Sequence, residues 1–576
     1  MPETSAQRAL AVSLSARDDA DLARLFAGRH VSPSSPWRDM FDAAEALLDP
    51  ASVARELPAL TRDEAVALTN AVGGTPATGA ARDALAAHAL VGDDGIPFPS
   101  VVGAVREALP DGLPDPQPAS APAASAETAA AAAEAAFTNA ASVADILMLT
   151  LESPLGRIGS GSLGATERRR LVDAGAVSTA AEADLLVGLA ADVGLLGAND
   201  RAWLVSQHGR EWLRLPTLER WSRTAEALRD ALPRAYRADG GGWISTERWA
   251  DATPFDPDGP ERATVWIRRL VRWGLLDAAG RVAPWAVPLA AGGELDTSAL
   301  KELLPPEVDR VYLQNDLTAI APGPLAPHLD VRLRTMAARE SRAQASSYRF
   351  SAGTVGAAIT AGETADSLRA FLTDISLTGL PQPLAYVIER TSAEHGRVRV
   401  GVDADTSLTR VTTDDETLRR SMEVDQSLRS IALARDDGDD LVSHVSADVV
   451  FWALTDAHYP AVAVDAHGRP RALERAKLAG AEQPASDPDE VYAPLLERLR
   501  NGAQDSDAAW LERELDQAVR ARAVVDVTVR LPDGSARVFR LEATGLGGGR
   551  LRGRDRAADV ERTLPLSHID GVAPVD

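Results

Sequence analysis

The chain has 576 residues, a formal net charge of −24 and no cysteine. That length predicts roughly three to five domains, and the missing cysteine excludes disulfides, zinc–thiolate sites, iron–sulfur clusters and thiol catalysis. The acidic excess argues against indiscriminate coating of nucleic acid, yet it leaves room for a basic face on one module. No run of about 18 apolar residues occurs, so no membrane span is expected. The start, Met1-Pro-Glu-Thr, lacks the basic and apolar blocks of a signal peptide, and a cytoplasmic location is expected. Only Lys301 and Lys477 are lysines; with the heavy alanine content, this arginine preference reads as GC-rich coding bias.

Residues 1–110 predict a helical N-terminal domain. Leu10, Leu14, Leu22, Leu25, Leu47, Leu57 and Leu60 recur mostly at helical spacing, and Thr61 with Glu64 has the spacing of a capping box. A further short helix is expected over Leu90 to Val102, after a Gly-Asp-Asp-Gly turn. Residues 111–136 form a Pro/Ala-rich linker, whose end, from Glu127 to Ala136, is a poly-alanine helix.

Residues 137–295 predict a tandem winged-helix-like region, because helix, helix, helix and hairpin follow one another twice. The first unit runs through Ala141–Leu151, a helix from Ala165, Thr179–Val193 and a strand pair around Leu195–Val205. The second uses Leu218–Leu232, Ile244–Ala250, Arg262–Trp273 and a hairpin after Leu275. In such folds the third helix enters the major groove. Here that helix, Pro260 to Trp273, carries Arg262, Arg268, Arg269 and Arg272, and Arg168, Arg169 and Arg170 form a second basic run. Either set serves DNA contact or is the solvated face of a helix.

Residues 296–400 begin with a strand face of Val311, Leu313, Leu317 and Ile320, broken by Pro322-Gly-Pro324. Ser351 and Thr364 can cap the two following helices, and Pro381 falls where the second must have ended. The Asp316-Leu-Thr strand, Tyr348-Arg-Phe-Ser351, Ala361-Gly-Glu-Thr364 and Gly379-Leu-Pro381 occur in that order. This order resembles the N-terminal domain of XPB-type DNA helicases, which also occurs in helicase-associated proteins of actinobacteria. The resemblance implies work beside DNA at the nucleoid, with an XPB-type helicase as a possible partner and DNA repair or another DNA transaction as the setting.

Residues 401–475 predict a small α/β unit, with strands at Arg397–Val402, Ser430–Ala434 and Ala461–Asp465 and a helix at Ala447–Ala457. Residues 476–520 read as a charged hinge and a helix. Residues 521–576 read as a β-module, Val524 to Leu531 alternating with period two before a tight turn at Pro532-Asp-Gly. Its ending, with Arg562, Leu564, Leu566 and Ile569, resembles WYL domains and implies an SH3-type barrel, although the Trp-Tyr-Leu triplet is absent. Arg537, Arg540, Arg550 and Arg552 give this module local positive charge. The expected fold class is therefore multidomain α+β: mainly helical with winged-helix units, a small XPB-N-terminal-like α/β domain and a C-terminal SH3-like β-barrel.

Catalytic patterns are missing. A helicase motor needs a phosphate-cradling loop ending in Gly-Lys-Ser/Thr, and neither lysine follows a glycine. Gly159-Ser-Gly-Ser-Leu-Gly164 fits a dinucleotide fingerprint but lacks the strand before it and the acidic strand end after it. The histidines are scattered, and Asp436 to Asp440 lacks the calcium-loop order. No catalytic residue, cofactor or metal is expected. Three functions stay open: a non-catalytic DNA-binding accessory of a helicase, a winged-helix transcriptional regulator with a WYL-like sensing domain, and a protein-only scaffold.

Overall fold

Four-residue hydrophobic spacing and acidic caps dominate the N-terminal end. The computed structural model describes residues 3–110, 112–113, 126–159, 161–199, 201–342, 345–403, 406–436, 438, 440–469, 471, 473, 477–480, 487–502, 506–531, 535–556 and 558–574. Residues 111 and 114–125 of the expected linker, and the turn at Pro532, lie outside the described residues. Seven helices come first: α1 (Glu3–Ala16), α2 (Asp19–Gly28), α3 (Met40–Leu47), α4 (Pro50–Glu56), α5 (Arg62–Val72), α6 (Gly79–Ala87) and α7 (Pro99–Ala108). Asp18, Asp39 and Asp49 accept N–H bonds at the starts of α2, α3 and α4. Thr61 and Glu64 form the reciprocal box at α5 that their spacing predicts. Residues 91 to 97 are bridged across the Gly92–Gly95 turn, so the helix expected from Leu90 starts only at Pro99, a residue suited to the first helical turn.

The core of these helices is completed from far along the chain. Helix α22 (Pro488–Gly502) lies against α2, with Tyr492, Leu495, Leu496 and Leu499 buried among Leu22, Phe26 and their neighbours. The Tyr492 hydroxyl donates to the Val31 carbonyl at 2.6 Å, and Arg500 binds Asp19 at 3.0 Å.

Helix α8 (Ala126–Glu152) runs unbroken through residue 136, where the linker was expected to end. The poly-alanine stretch and the helix expected at Ala141–Leu151 are one element, since alanine is the best helix former and nothing interrupts it. Its length and composition would suffice to cross a membrane, but 61% of its apolar window is buried inside the protein. Around it stand β1 (Leu155–Gly156), α9 (Ala165–Asp173), α10 (Ala180–Asp192), β2 (Leu196–Ala198) and β3 (Ala202–Val205), the strands ordered β1-β3-β2. Then come α11 (Gln207–Trp212), α12 (Thr217–Ala231), a 3₁₀ turn at Thr246–Asp251 in place of the helix expected at Ile244–Ala250, α13 (Gly259–Arg272) and a bridge from Leu276 to Val282. One core joins both halves. Trp221 and Trp273 interlock in it, each indole N–H donating to the other's carbonyl, at 2.6 and 3.0 Å. Gly274 has φ +68, and a Cβ there would sit 2.3 Å from the Ala132 carbonyl of α8, so only glycine lets this loop close on the helix.

After α14 (Val287–Ala290) and α15 (Ser298–Leu303), two lobes follow. The first is an antiparallel sheet, β4 (Tyr312–Leu313), β5 (Thr318–Ala321), β6 (Ala338–Arg342) and β7 (Ser346–Arg349), ordered β4-β5-β7-β6. It carries α16 (Pro327–Met336), α17 (Ala352–Thr360), α18 (Ala365–Ile375) and α19 (Gln382–Glu394). Ser351 and Thr364 cap α17 and α18 as their positions predict. The second lobe has β8 (Val398–Val402), β9 (Thr409–Thr412), α20 (Glu416–Val424), β10 (Ala434–Arg435), β11 (Leu441–Ser443), α21 (Ala447–Asp456) and β12 (Ala461–Ala463). Its sheet is ordered β10-β11-β9-β8-β12, and β12 runs parallel to β8. Instead of the strand expected at Ser430–Ala434, a 3₁₀ turn to Ile431 ends on Ala432 at φ 46.

The C-terminal module is α23 (Ser506–Ala521) under a sheet of β13 (Val524–Arg530), β14 (Ala536–Gly547), β15 (Arg550–Asp555), β16 (Val560–Pro565) and β17 (Ile569–Pro574), ordered β16-β15-β14-β13-β17. No ladder joins β16 to β17 among the described residues, so the sheet stays open rather than closing into the expected barrel. The chain as a whole is mixed α+β.

Candidate functional site

The basic residues fall into paired and unpaired groups. On α9, Arg168 forms a two-pronged contact with Asp184 of α10 at 2.8 and 2.9 Å. Arg170 donates to the Ser153 carbonyl at 2.8 Å and pairs with Glu167 at 3.2 Å. Arg169 is exposed and has no recorded partner among the described residues.

The helix expected to read DNA, α13, packs against α10 instead of lying fully open. Arg269 lies on the Trp266 ring at 4.8 Å and pairs with Asp192. Gly188 makes room for it: a Cβ there would sit 2.9 Å from the guanidinium. Burial pulls Arg269 below its ordinary value and pushes Asp192 up. Arg272 pairs with Glu182 at 3.4 Å, and Arg262 pairs with Asp256. Arg268 alone of these four is exposed without an ion-pair partner among the described residues. The period of the helix was legible in sequence; that Arg269 and Arg272 face acids of α10 was not.

In the C-terminal sheet Arg540 is neutralised by Asp526, its cross-strand neighbour, at 2.8 and 2.9 Å. Arg537 stacks on Phe539 at 5.2 Å. Arg550 and Arg552 are exposed on β15, opposite Gly547 and Gly545 on one side and Pro565 and Thr563 on the other. No acid stands across from either, and neither has an ion pair among the described residues. Two residues apart on a strand, they share one face. Nine arginines against eight acids in residues 521–576 make this module nearly neutral within a strongly acidic chain.

A second cluster escaped the sequence reading. Asp145 of α8, 2% exposed, meets Arg334 of α16 at 2.7 Å and Arg339 of β6. Arg334 also reaches Asp330 at 3.7 Å, and the Tyr348 hydroxyl donates to Asp330 at 2.6 Å. Burial alone would lower Arg334, but Asp145 and Asp330 outweigh it and hold the guanidinium above its ordinary value. Burial and the adjacent Asp330 push the Tyr348 phenol far up. The cluster ties the central body to the first lobe. Its one sequence signal is a lone carboxylate inside Val143-Ala-Asp-Ile-Leu-Met148, since a charge in an apolar helix face needs a buried partner.

Asp436 and Asp440, in the acidic run considered for calcium, both lie on Arg410, at 2.6 and 3.2 Å. No group of three or more histidine or acidic residues with metal-binding geometry occurs among the described residues.

No curated protein matches the chain. Residues 311–437 match the family described as the helicase conserved C-terminal domain. The matched span holds all of the first lobe and the start of the second, so the protein carries a helicase-related, helicase C-terminal-like domain joined by buried ion pairs to its helical body.

Proposed function

We propose that this chain is a non-catalytic accessory of an XPB-type DNA helicase, contacting duplex or distorted DNA in repair or another DNA transaction, in the cytoplasm at the nucleoid. The observation that carries the reading is the helicase-family match over residues 311–437 in a chain whose two lysines both lack the preceding glycine of a phosphate loop. Three further features support it. The succession α8, β1, α9, α10, β2, β3 follows winged-helix order. The strand order of the C-terminal sheet suits a partly open SH3-type module of WYL kind. Arg169, Arg268, Arg550 and Arg552 are exposed cations with no ion-pair partner among the described residues.

The test is a mobility shift on forked and duplex DNA across a salt series. Replacing Arg550 and Arg552 together by alanine is expected to weaken binding and to reduce the slope of log K against log salt by about 2. Arg540→Ala, whose charge is already spent on Asp526, is expected to change little. No binding to any DNA form near about 50 mM salt removes the DNA-contacting part of the reading and leaves a protein-docking role.

A further inference from the structure

Among the described helices, α22 alone has a proline in its interior. Elsewhere prolines take the first helical turn, as Pro99 does in α7 and Pro260 in α13. Pro494 has no N–H for the Glu490 carbonyl, and its ring presses on that carbonyl. Such a residue disfavours a helix by about a hundredfold. Packing does not offset this, because Pro494 and its neighbour Ala493 are exposed. A helix of 15 residues is marginal in water even without a proline. Helix α22 is therefore helical because it is docked.

Its seat is a groove of the N-terminal helices. The floor is apolar, and Phe26 of α2 meets the Tyr492 ring edge-on at 5.9 Å. The rim offers acceptors. Tyr492 donates to the Val31 carbonyl at 2.6 Å, and Arg498 to the Ser35 carbonyl at 3.1 Å. Arg500 donates to the Ser15 carbonyl at 2.7 Å, to the Arg17 carbonyl and to Asp19 at 3.0 Å. Ser15 is in the last turn of α1, whose carbonyls lack partners within the helix. Every recorded hydrogen bond across this seam thus runs from α22 to the N-terminal helices. The groove selects an apolar stripe flanked by donors.

Helix α22 fills that groove imperfectly. A cleft of about 380 Å3 stays open along the seam, where Ala20 of α2 and Ala493 of α22 are both small. Asp489 and Glu497 of α22 line it together with Asp19, so like charges share it. A helix with cations at those two places and no interior proline would fit better. A second copy of this chain would bring the same proline and the same acids, and so gains nothing in fit. Tethering favours α22 through an effective concentration of order millimolar, which its weak helix offsets. We propose that the groove over α2 is a receptor for a basic amphipathic helix of another protein, with the stripe Tyr-x-x-Leu-Leu-x-x-Leu-Arg, and that α22 is its tethered, displaceable occupant. None of the arginines assigned to DNA contact belongs to this seam, so the receptor does not depend on the DNA reading.

The experiment is fluorescence anisotropy of a labelled peptide titrated with the full chain. The peptide has the sequence of residues 488–502 with Pro494→Ala and Glu497→Lys. Saturable binding is expected, weaker by about tenfold or more for the unsubstituted peptide and lost when Leu495→Ala and Leu499→Ala are added to the probe. In the full chain, Pro494→Ala strengthens α22 in place and should weaken peptide binding by about tenfold or more. Arg500→Met removes the polar anchor of α22 and should tighten it. Pro494→Ala relieves a helix defect, so the test survives if Arg500→Met fails to fold. No saturation up to about 1 mM with wild type, equal affinity of wild type and Pro494→Ala, or binding that persists without the two leucines would overturn the proposal. Dimers in sedimentation that the peptide dissolves would overturn it too, in favour of α22 exchanged between copies.

Discussion

Asp145 is the only charge in its stretch of α8, and two arginines from another unit converge on it. Truncating one partner of a buried ion cluster leaves the others uncompensated, at a cost of about 3–5 kcal/mol. Asp145→Ala is therefore expected to lower the urea midpoint of the transition that separates α8 from the first lobe, with Asp145→Asn losing less because it retains hydrogen-bonding atoms. An unchanged midpoint in Asp145→Ala would mean that the arginines find water instead. The surface pairs, such as Arg168 with Asp184, contribute far less, because solvent screens both members. Sequence showed where the arginines were; it did not show which were already occupied, since Asp184, Asp192 and Glu182 face them only after α10 has docked.

Helices show the same division. Caps at Thr61, Ser351 and Thr364 were legible because they involve residues three apart. The docking of α22 was not, because its partners lie more than four hundred residues earlier. Its place in the N-terminal core makes a definite prediction. Leu495 is fully buried there, and Leu495→Ala should cost about 2–5 kcal/mol, seen as faster amide exchange in α2 and α3 with α10 and α13 unchanged. Exchange that accelerates only within α22 would show that the N-terminal helices hold their core without it.

Across the whole molecule, acid should act first on the second lobe. Asp415 lies below the usual carboxylate range because the Leu418 and Thr417 N–H groups bind it; Glu416 and Glu423 are lowered by Arg420 and Arg435, and Asp425 by Ser427. Burial raises Asp436, but the Gly438 and Asp440 N–H groups and Arg410 outweigh it and leave it lowered. A folded value below the unfolded one gives stability that is present above about pH 4 and lost as pH falls through that range. Asp192 and Glu514, raised by burial, work in the opposite sense in other units. Amide exchange near about pH 3.5 should thus lose protection in β8, β9 and β11 before α8 and α10; simultaneous loss would contradict a lobe-specific acid response. By itself the sequence determined the mixed α+β class, most helix starts and the strand alternation of the C-terminal sheet, because each depends on neighbours within a turn or a strand. Only the tertiary structure decided that α8 is one continuous core helix, that α22 completes the N-terminal core, that Arg269 and Arg272 of α13 are spent on acids of α10, and that Arg220 is buried against Trp212. Those outcomes depend on which surfaces exclude water together, and that is set by contacts between parts of the chain that no local pattern connects.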